Sequence, residues 1–267
     1  MPHTDSGILE TKLPVATPGS LGEVPFELQL LARAKNYQNW VSRTIHPYLG
    51  NRILEVGAGT GNMSQWLPVR DRLILSEADP ALFAMLKDFA PAEMKTDPKV
   101  TLSRWRMGAQ SLNEMVHENL DTIVSFNVLE HVEDDRQALQ ELVSLLEASQ
   151  ASGPRRLVTF VPAHQWAYGE MDKRFGHYRR YSASSFRKLA KGVAPAATLS
   201  MRYFNAVGLL GWVLTGRILR QDVIHPTSMA TFERLTPWLA PFDDWIHRRL
   251  HLPFGQSLLT VLEWPER

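Results

Sequence analysis

Three glycines at alternate positions, Gly57, Gly59 and Gly61, follow the apolar run Arg52-Ile-Leu-Glu-Val56. Glycine is needed where backbone turns sharply and must approach a ligand with no Cβ in the way. A dinucleotide turn reads G-x-G-x-x-G, its third glycine packing helix against strand and its pyrophosphate resting on the helix N-terminus. Here Asn62 stands where that third glycine would be, and Glu55 precedes the run. The pattern favours a cofactor with no pyrophosphate and with a positive amino group. Glu77, at the end of the next apolar run, is placed to accept both hydroxyls of a ribose, as an acid does in dinucleotide sites. Asp79, followed by Pro80, reads instead as a helix cap. Glu55 also has a structural reading, as an acid that bonds turn amides.

Three histidines, His131, His164 and His177, are candidate general bases, because neutral imidazole takes a proton near pH 7. Each has a structural reading as well, as a residue that only hydrogen-bonds its loop. His177 lies in Lys173-Arg174-x-x-His177-Tyr-Arg-Arg-Tyr181, a run of positive groups whose arginine forks suit phosphate or carboxylate oxygens. Tyr168, Arg174, His177, Arg179, Arg180 and Tyr181 are therefore the candidate acceptor contacts, with an anionic acceptor as one reading and a solvated, salt-bridged loop as the other. No metal-ligand spacing stands out, so no metal is expected.

The elements that must carry these groups alternate. A helix is expected from Phe26 to Ile45, strands over Arg52–Val56, Arg72–Ser76, Val100–Arg106 and 121–126, a helix over Asp134–Ala148, and a fifth strand over 156–161. A helix over 184–191, a strand over Thr198–Phe204, two helical stretches over 206–220 and 228–250, and a strand over 256–264 complete the chain. Such alternation implies a parallel sheet covered on both faces. Residues 1–24 carry prolines and glycines with no apolar period and read as a loose tail before a single domain over 25–267. Leu209, Leu210, Trp212, Val213 and Leu214, and then Trp238, Phe242 and Trp245, are read first as core, with an acceptor pocket, membrane interface or subunit contact as alternatives.

Ile53-Leu-Glu-Val-Gly-Ala-Gly-Thr-Gly61, Ser76-Glu-Ala-Asp-Pro80 and Asn127-Val-Leu-Glu-His-Val132 resemble three successive motifs of the class I S-adenosylmethionine-dependent methyltransferases. Val161-Pro-Ala-His164, Tyr168-Gly-Glu-Met-Asp172, Gly176-His-Tyr-Arg-Arg-Tyr-Ser182 and Phe254-Gly-Gln-Ser257 resemble a bacterial subgroup associated with sugar or lipid glycoconjugates. The resemblance implies a Rossmann-like, seven-stranded, mostly parallel sheet with helices on both faces and an antiparallel last strand. It implies S-adenosylmethionine as cofactor, with S-adenosylhomocysteine as product. By it, Glu55, Gly57, Ala58, Gly59 and Gly61 hold the methionine part, Glu77 and Ala78 the ribose, and Asn127, Val128 and Leu129 line the methionine side. Apart from the resemblance, Tyr37 and Trp40 on the N-terminal helix read either as a lid over the cofactor or as helix-to-sheet packing. Many family members carry an acid after the third strand for the adenine amino group; here Met107 and Gly108 stand near that position, which leaves adenine to backbone and packing. Segments 165–182 and 205–255 become acceptor-site or lid elements.

The acceptor reading is a small-molecule or lipid- or sugar-linked compound methylated at oxygen. Carbon or nitrogen methylation of a small metabolite, and a binding protein that has lost turnover, are the alternatives. Twenty-nine basic against 28 acidic residues lack the excess expected of a nucleic-acid binder. With 44% apolar and 21% charged residues over 267 positions, and no cysteine, the composition is that of a globular domain without disulfides or thiolate metal sites. No signal-peptide pattern or membrane-length apolar run is seen, so a cytoplasmic monomer or homodimer with at most peripheral membrane contact is expected.

Overall fold

Seven apolar runs pair into one sheet in a computed structural model that describes residues 24, 26–108, 112–221 and 226–266. The strands are β1 (Arg52–Val56), β2 (Arg72–Ser76), β3 (Val100–Ser103), β4 (Thr122–Phe126), β5 (Arg155–Pro162), β6 (Thr198–Phe204) and β7 (Ser257–Trp264). Their order is β3-β2-β1-β4-β5-β7-β6, and β7 alone runs against its two neighbours. This is the Rossmann-like arrangement that the resemblance implies. The tail expected over 1–24 lies, but for its last residue, outside the described residues.

The register decides where the site can be. Val56 pairs with Ser76 on one side and with Ser125 on the other. The glycine turn, Glu77 and Asn127 therefore leave the sheet side by side, at the carboxyl ends of parallel strands, where open α/β sheets bind ligands.

Alternate residues of each strand enter two cores. Leu54, Ile74, Ile123 and Leu157 pack with Leu139, Leu142 and Leu146 of the long helix that follows β4. Ile53, Leu73, Val124 and Val158 pack on the opposite face with Trp40, Val41, Ile45 and Leu86. Period-2 alternation in fully covered strands gives this two-sided burial.

The helices are α1 (Phe26–Arg33), α2 (Lys35–Ile45), α3 (Pro80–Phe89), α4 (Ala92–Thr96), α5 (Leu112–Val116), α6 (Asp135–Ala148), α7 (Glu170–Arg174), α8 (Ala183–Val193), α9 (Ala206–Trp212) and α10 (Pro226–Leu250). One helix expected over 26–45 is thus two, broken at Ala34, whose ψ of 59° leaves the helical region. The side-chain amide of buried Gln38 donates to the Leu31 carbonyl at this break. Glu233 of α10 then accepts the Asn36 and Tyr37 amides, supplying the cap that Ala34 cannot. β3 ends at Ser103 rather than 106, because β2, its partner among the described residues, ends opposite that residue. The stretch expected as helix over 206–220 becomes α9 followed by a π-helical turn over Val213–Ile218.

Three aromatic residues of α10 are not core. Trp238, Phe242 and Trp245 are 80%, 58% and 55% exposed. The helix instead buries Thr236, Asp243 and His247, and its Asp244 binds the Trp40 indole N–H and Arg202. Leu209 and Trp212 of α9 are buried beside Ala167 and Met171, whereas Leu210 and, past the end of α9, Leu214 face outward. No helix among the described residues is long and apolar enough to cross a membrane.

Candidate active site

The three glycines of the turn all adopt the left-handed backbone region, with φ of 71°, 57° and 83° at Gly57, Gly59 and Gly61. A Cβ on Gly57 would stand 2.6 Å from Cγ2 of Val128, so the turn and the loop after β4 touch only because that atom is missing. Leu28 of α1 lies over Gly59, and the Asn62 side chain donates to the Leu28 carbonyl at 2.9 Å. Asn62 thus ties a covering helix to the turn, a role its place in the sequence did not announce.

Two acids meet this turn. Glu77 is buried and accepts the Gly59 amide at 2.8 Å on one oxygen and the Asp79 amide at 2.9 Å on the other. Burial raises its pKa although those amides favour the charged form. Glu55 is more deeply buried and accepts the Ser64 hydroxyl. Its carboxyl is pushed up to about 7, by burial first, against the Ser64 bond and with Glu77 nearby. Asp79 caps α3, accepting the Ala81 and Leu82 amides at 2.8 and 2.9 Å.

Beyond β4, Asn127 adopts a φ of 52°, donates its amide to Phe160 and leaves its side chain exposed. Leu129 is fully buried in the α6-side core, so only its backbone is left to line a ligand. Met107 and Val128 are partly buried against that same core, with Gly108 half-buried next to Met107. Ala58 is buried and Ala78 half-buried beside the turn. Tyr37 lies among Trp40, Phe204 and Phe232, and burial pushes its phenol up to about 12 in spite of a hydrogen bond with Ser257. It stands at the β5–β7 end of the sheet; the residue over the glycines is Leu28.

The histidines divide. His131 and His177 meet edge to face, ring centroids 4.7 Å apart, at the carboxyl end of β4. His177 Nδ1 lies 2.8 Å from Asp172 Oδ1, which also accepts Arg180 Nε at 2.7 Å. Burial, with His177 beside it, pushes His131 down to about 3, so its imidazole is neutral. His164 sits apart from them. Its φ is 65°, its ring stacks on Tyr203 at 4.7 Å, and its Nε2 accepts the Gly255 amide at 3.3 Å. Burial and the charge of Arg180 lower its pKa. The nitrogen a base would use is therefore already engaged in joining β5 to the start of β7.

The basic segment is mostly spoken for. Arg180 is buried against Asp172, the Ala163 carbonyl and, at 4.3 Å, the Trp212 ring. Arg179 binds the Val132 and Glu133 carbonyls and Asp135, and the Tyr181 hydroxyl donates to Asp135 at 2.9 Å. Lys173 pairs with Glu170, and Tyr168 donates to the His177 carbonyl at 2.7 Å. Arg174 is exposed, with contacts of its own. Arg179, Arg180 and Tyr181, expected as acceptor contacts, hold the loop on the fold. Asp172, an ion-pair partner in the salt-bridged reading of this loop, and Glu130, which the sequence did not single out, are the buried acids at its centre.

Residues 54–149 match the family model described as methyltransferase domain. Solved structures with the same fold include an N-methyltransferase, NodS, from Bradyrhizobium japonicum WM9 in complex with S-adenosylhomocysteine (15% identity, 92% of this chain and 95% of that chain, TM-score 0.50). Another is magnesium protoporphyrin IX methyltransferase (ChlM) from Synechocystis PCC 6803 with bound S-adenosylhomocysteine (12%, 91% and 89%, TM-score 0.51). A third is an S-adenosylmethionine-dependent methyltransferase from Archaeoglobus fulgidus (13%, 89% and 99%, TM-score 0.50). The chain is thus similar to a methyltransferase domain over residues 54–149 and shares the fold of these solved methyltransferases. No curated protein sequence matches it.

The turn fits S-adenosylmethionine, the cofactor that the resemblance implies. The glycines present bare backbone at the strand end, and Glu77 keeps unshared lone pairs on oxygens that accept one amide each. No pyrophosphate has to be cradled, which agrees with Asn62 being turned away to Leu28.

Proposed function

We propose that the protein transfers a methyl group from S-adenosylmethionine to an oxygen of a small-molecule acceptor. The observation that carries this reading is the convergence of the three-glycine turn, Glu77 and the His131–His177 pair at one end of the sheet. Bound there, the cofactor supplies an electrophilic methyl group on a sulfonium. Glu55, Gly57, Ala58, Gly59 and Gly61, with the backbone of Asn127, Val128 and Leu129, hold the methionine part. Glu77 and Ala78 take the ribose, Met107 and Gly108 the adenine, and Tyr37 borders the cavity from the β7 side.

A small-molecule acceptor is supported by relatives of the same fold, one named for magnesium protoporphyrin IX. A hydroxyl acceptor must lose a proton as it is methylated, and His131 and His177 stand at that end of the sheet to assist its loss. An anionic acceptor gains no support from Arg179 and Arg180, whose donors are committed within the loop. Alignment of nucleophile, methyl and sulfur supplies most of the acceleration in such a transfer.

Calorimetric titration with S-adenosylhomocysteine and, separately, with a nicotinamide dinucleotide tests the cofactor. Micromolar binding of the first alone supports the reading, and binding of the second alone would remove it. Release of S-adenosylhomocysteine with hydroxyl acceptors, and not with their O-methylated or amine counterparts, tests the atom.

A further inference from the structure

One buried acid has no task in the reading above. Glu130 is fully buried, and neither of its carboxylate oxygens has a hydrogen-bond partner among the described residues. Buried carboxylates are otherwise paired, hydrogen-bonded or bound to metals. One donor atom of Glu130 and one each of His131 and His177 lie within 4.8 Å of one another.

We propose that Glu130, His131 and His177 bind a divalent transition-metal cation, which receives the acceptor's oxygen. The two imidazoles are prepared as ligands. His177 has its Nδ1 held by Asp172, which leaves Nε2 for the cation. His131 has one ring nitrogen on the Gly176 backbone. A second contact of this kind, on the nitrogen away from the metal, is the usual companion of a ligating histidine. Asp172, itself locked by Arg180, is thus a positioning residue.

The donor set also restricts the ion. Two imidazoles and one carboxylate suit zinc, manganese, iron or cobalt better than calcium or magnesium, and three protein ligands leave positions open. Glu130, Asp172 and Arg180 together carry one net negative charge when ionised, which a divalent cation offsets. The sequence concealed this site because His177 returns to Glu130 and His131 only through the loop after β5, where the Tyr178 amide bonds the Glu130 carbonyl at 2.8 Å.

For what the cation does, the proposal rests on the methyltransferase reading. Val128 touches Gly57, and Glu130 and His131 follow within one turn, which puts the three ligands on the methionine side. An acceptor hydroxyl bound to the cation is more acidic and gives its proton to solvent. Its oxygen then forms a bond to the methyl carbon as the carbon–sulfur bond breaks. The electron pair stays on sulfur, leaving a methyl ether and neutral S-adenosylhomocysteine.

The test uses the full chain freed of metal by a chelator, titrated in a calorimeter with Co²⁺, Zn²⁺, Mn²⁺ and Mg²⁺, and separately with S-adenosylhomocysteine. One transition cation per chain is expected, with binding weakened roughly 100-fold or more in Glu130→Gln and His177→Asn. S-adenosylhomocysteine affinity should be retained in both variants. Should a variant misfold, electron paramagnetic resonance of Cu²⁺ on the unmutated protein decides: coupling to two imidazole nitrogens supports the site, and coupling to fewer overturns it. Absence of cation uptake, or uptake indifferent to both substitutions, also overturns it. If the nucleoside binds and the cation does not, this site fails alone; if the cation binds and the nucleoside does not, the methyltransferase reading fails and the site stands.

Discussion

Glu77 accepts the backbone N–H of Gly59 at 2.8 Å, so the acid at the end of β2 and the glycine turn after β1 form one hydrogen-bonded unit. The carboxylate both fixes the turn and offers its remaining lone pairs to a ribose. Glu77→Ala should weaken S-adenosylhomocysteine binding by about 1–3 kcal/mol, the scale of charge-assisted hydrogen bonds. Calorimetry measures this directly, and unchanged affinity would take Glu77 out of the site.

Gly57→Ala should harm the protein in two ways, through its left-handed φ and through the 2.6 Å approach of Val128. A loss of about 1–3 kcal/mol in unfolding free energy is expected from crowding of this kind. Adding Val128→Ala should recover part of it in denaturant titrations, since it removes the atom that collides. A double variant no better than Gly57→Ala would put the whole cost in the backbone.

His164→Ala should behave as a structural substitution. It removes the acceptor of the Gly255 amide and the ring stacked on Tyr203, a loss of about 1–3 kcal/mol for a buried donor left unpaired. Melting temperature should fall, while turnover per folded molecule and S-adenosylhomocysteine affinity hold. A large drop in turnover at unchanged stability would restore His164 as a base.

His247 should make stability depend on pH. Burial works to lower its pKa, but bonds to Asp243 and to the Phe254 carbonyl outweigh it, and the folded value lies above the ordinary histidine value. A raised folded pKa means that the charged ring's contribution is fully present below about 6.5, the unfolded value, and is lost as pH rises through the folded one. The stability advantage of the unmutated protein over His247→Asn should therefore shrink as pH climbs from 6 to 9. Denaturant midpoints of the pair across that range check it, and a widening gap would reverse the assignment.

What the sequence made legible was the part ruled by local chemistry. β1, β2 and β6 have the expected bounds because apolar alternation and the glycine turn mark them. Asp79 caps α3 as expected because a cap acts within three residues of itself. The rest depended on distant partners. The break at Ala34 accompanies the packing of Gln38 onto Leu31, Gln65 and Trp66. α10 turns its polar Thr236, Asp243 and His247 inward and its aromatics outward, the reverse of what helical spacing of large rings suggests. Charge in the 173–181 segment read either as a surface for anions or as a salt-bridged loop, and Asp172 and Asp135, one of them buried, absorb most of it. The cluster around Glu130 needed the β5 loop to fold back before its members were neighbours at all.

The placement of β7 between β5 and β6 governs how the chain can be assembled on the ribosome. β6 is complete by Phe204, yet its one strand partner, β7, starts at Ser257. Until that segment has been translated, β5 and β6 each present an unpaired edge, the kind of surface that invites strand-to-strand aggregation. Closure of the sheet is therefore a late event in biosynthesis. Termination before residue 257 would leave a half-built sheet with two open edges rather than a shorter enzyme.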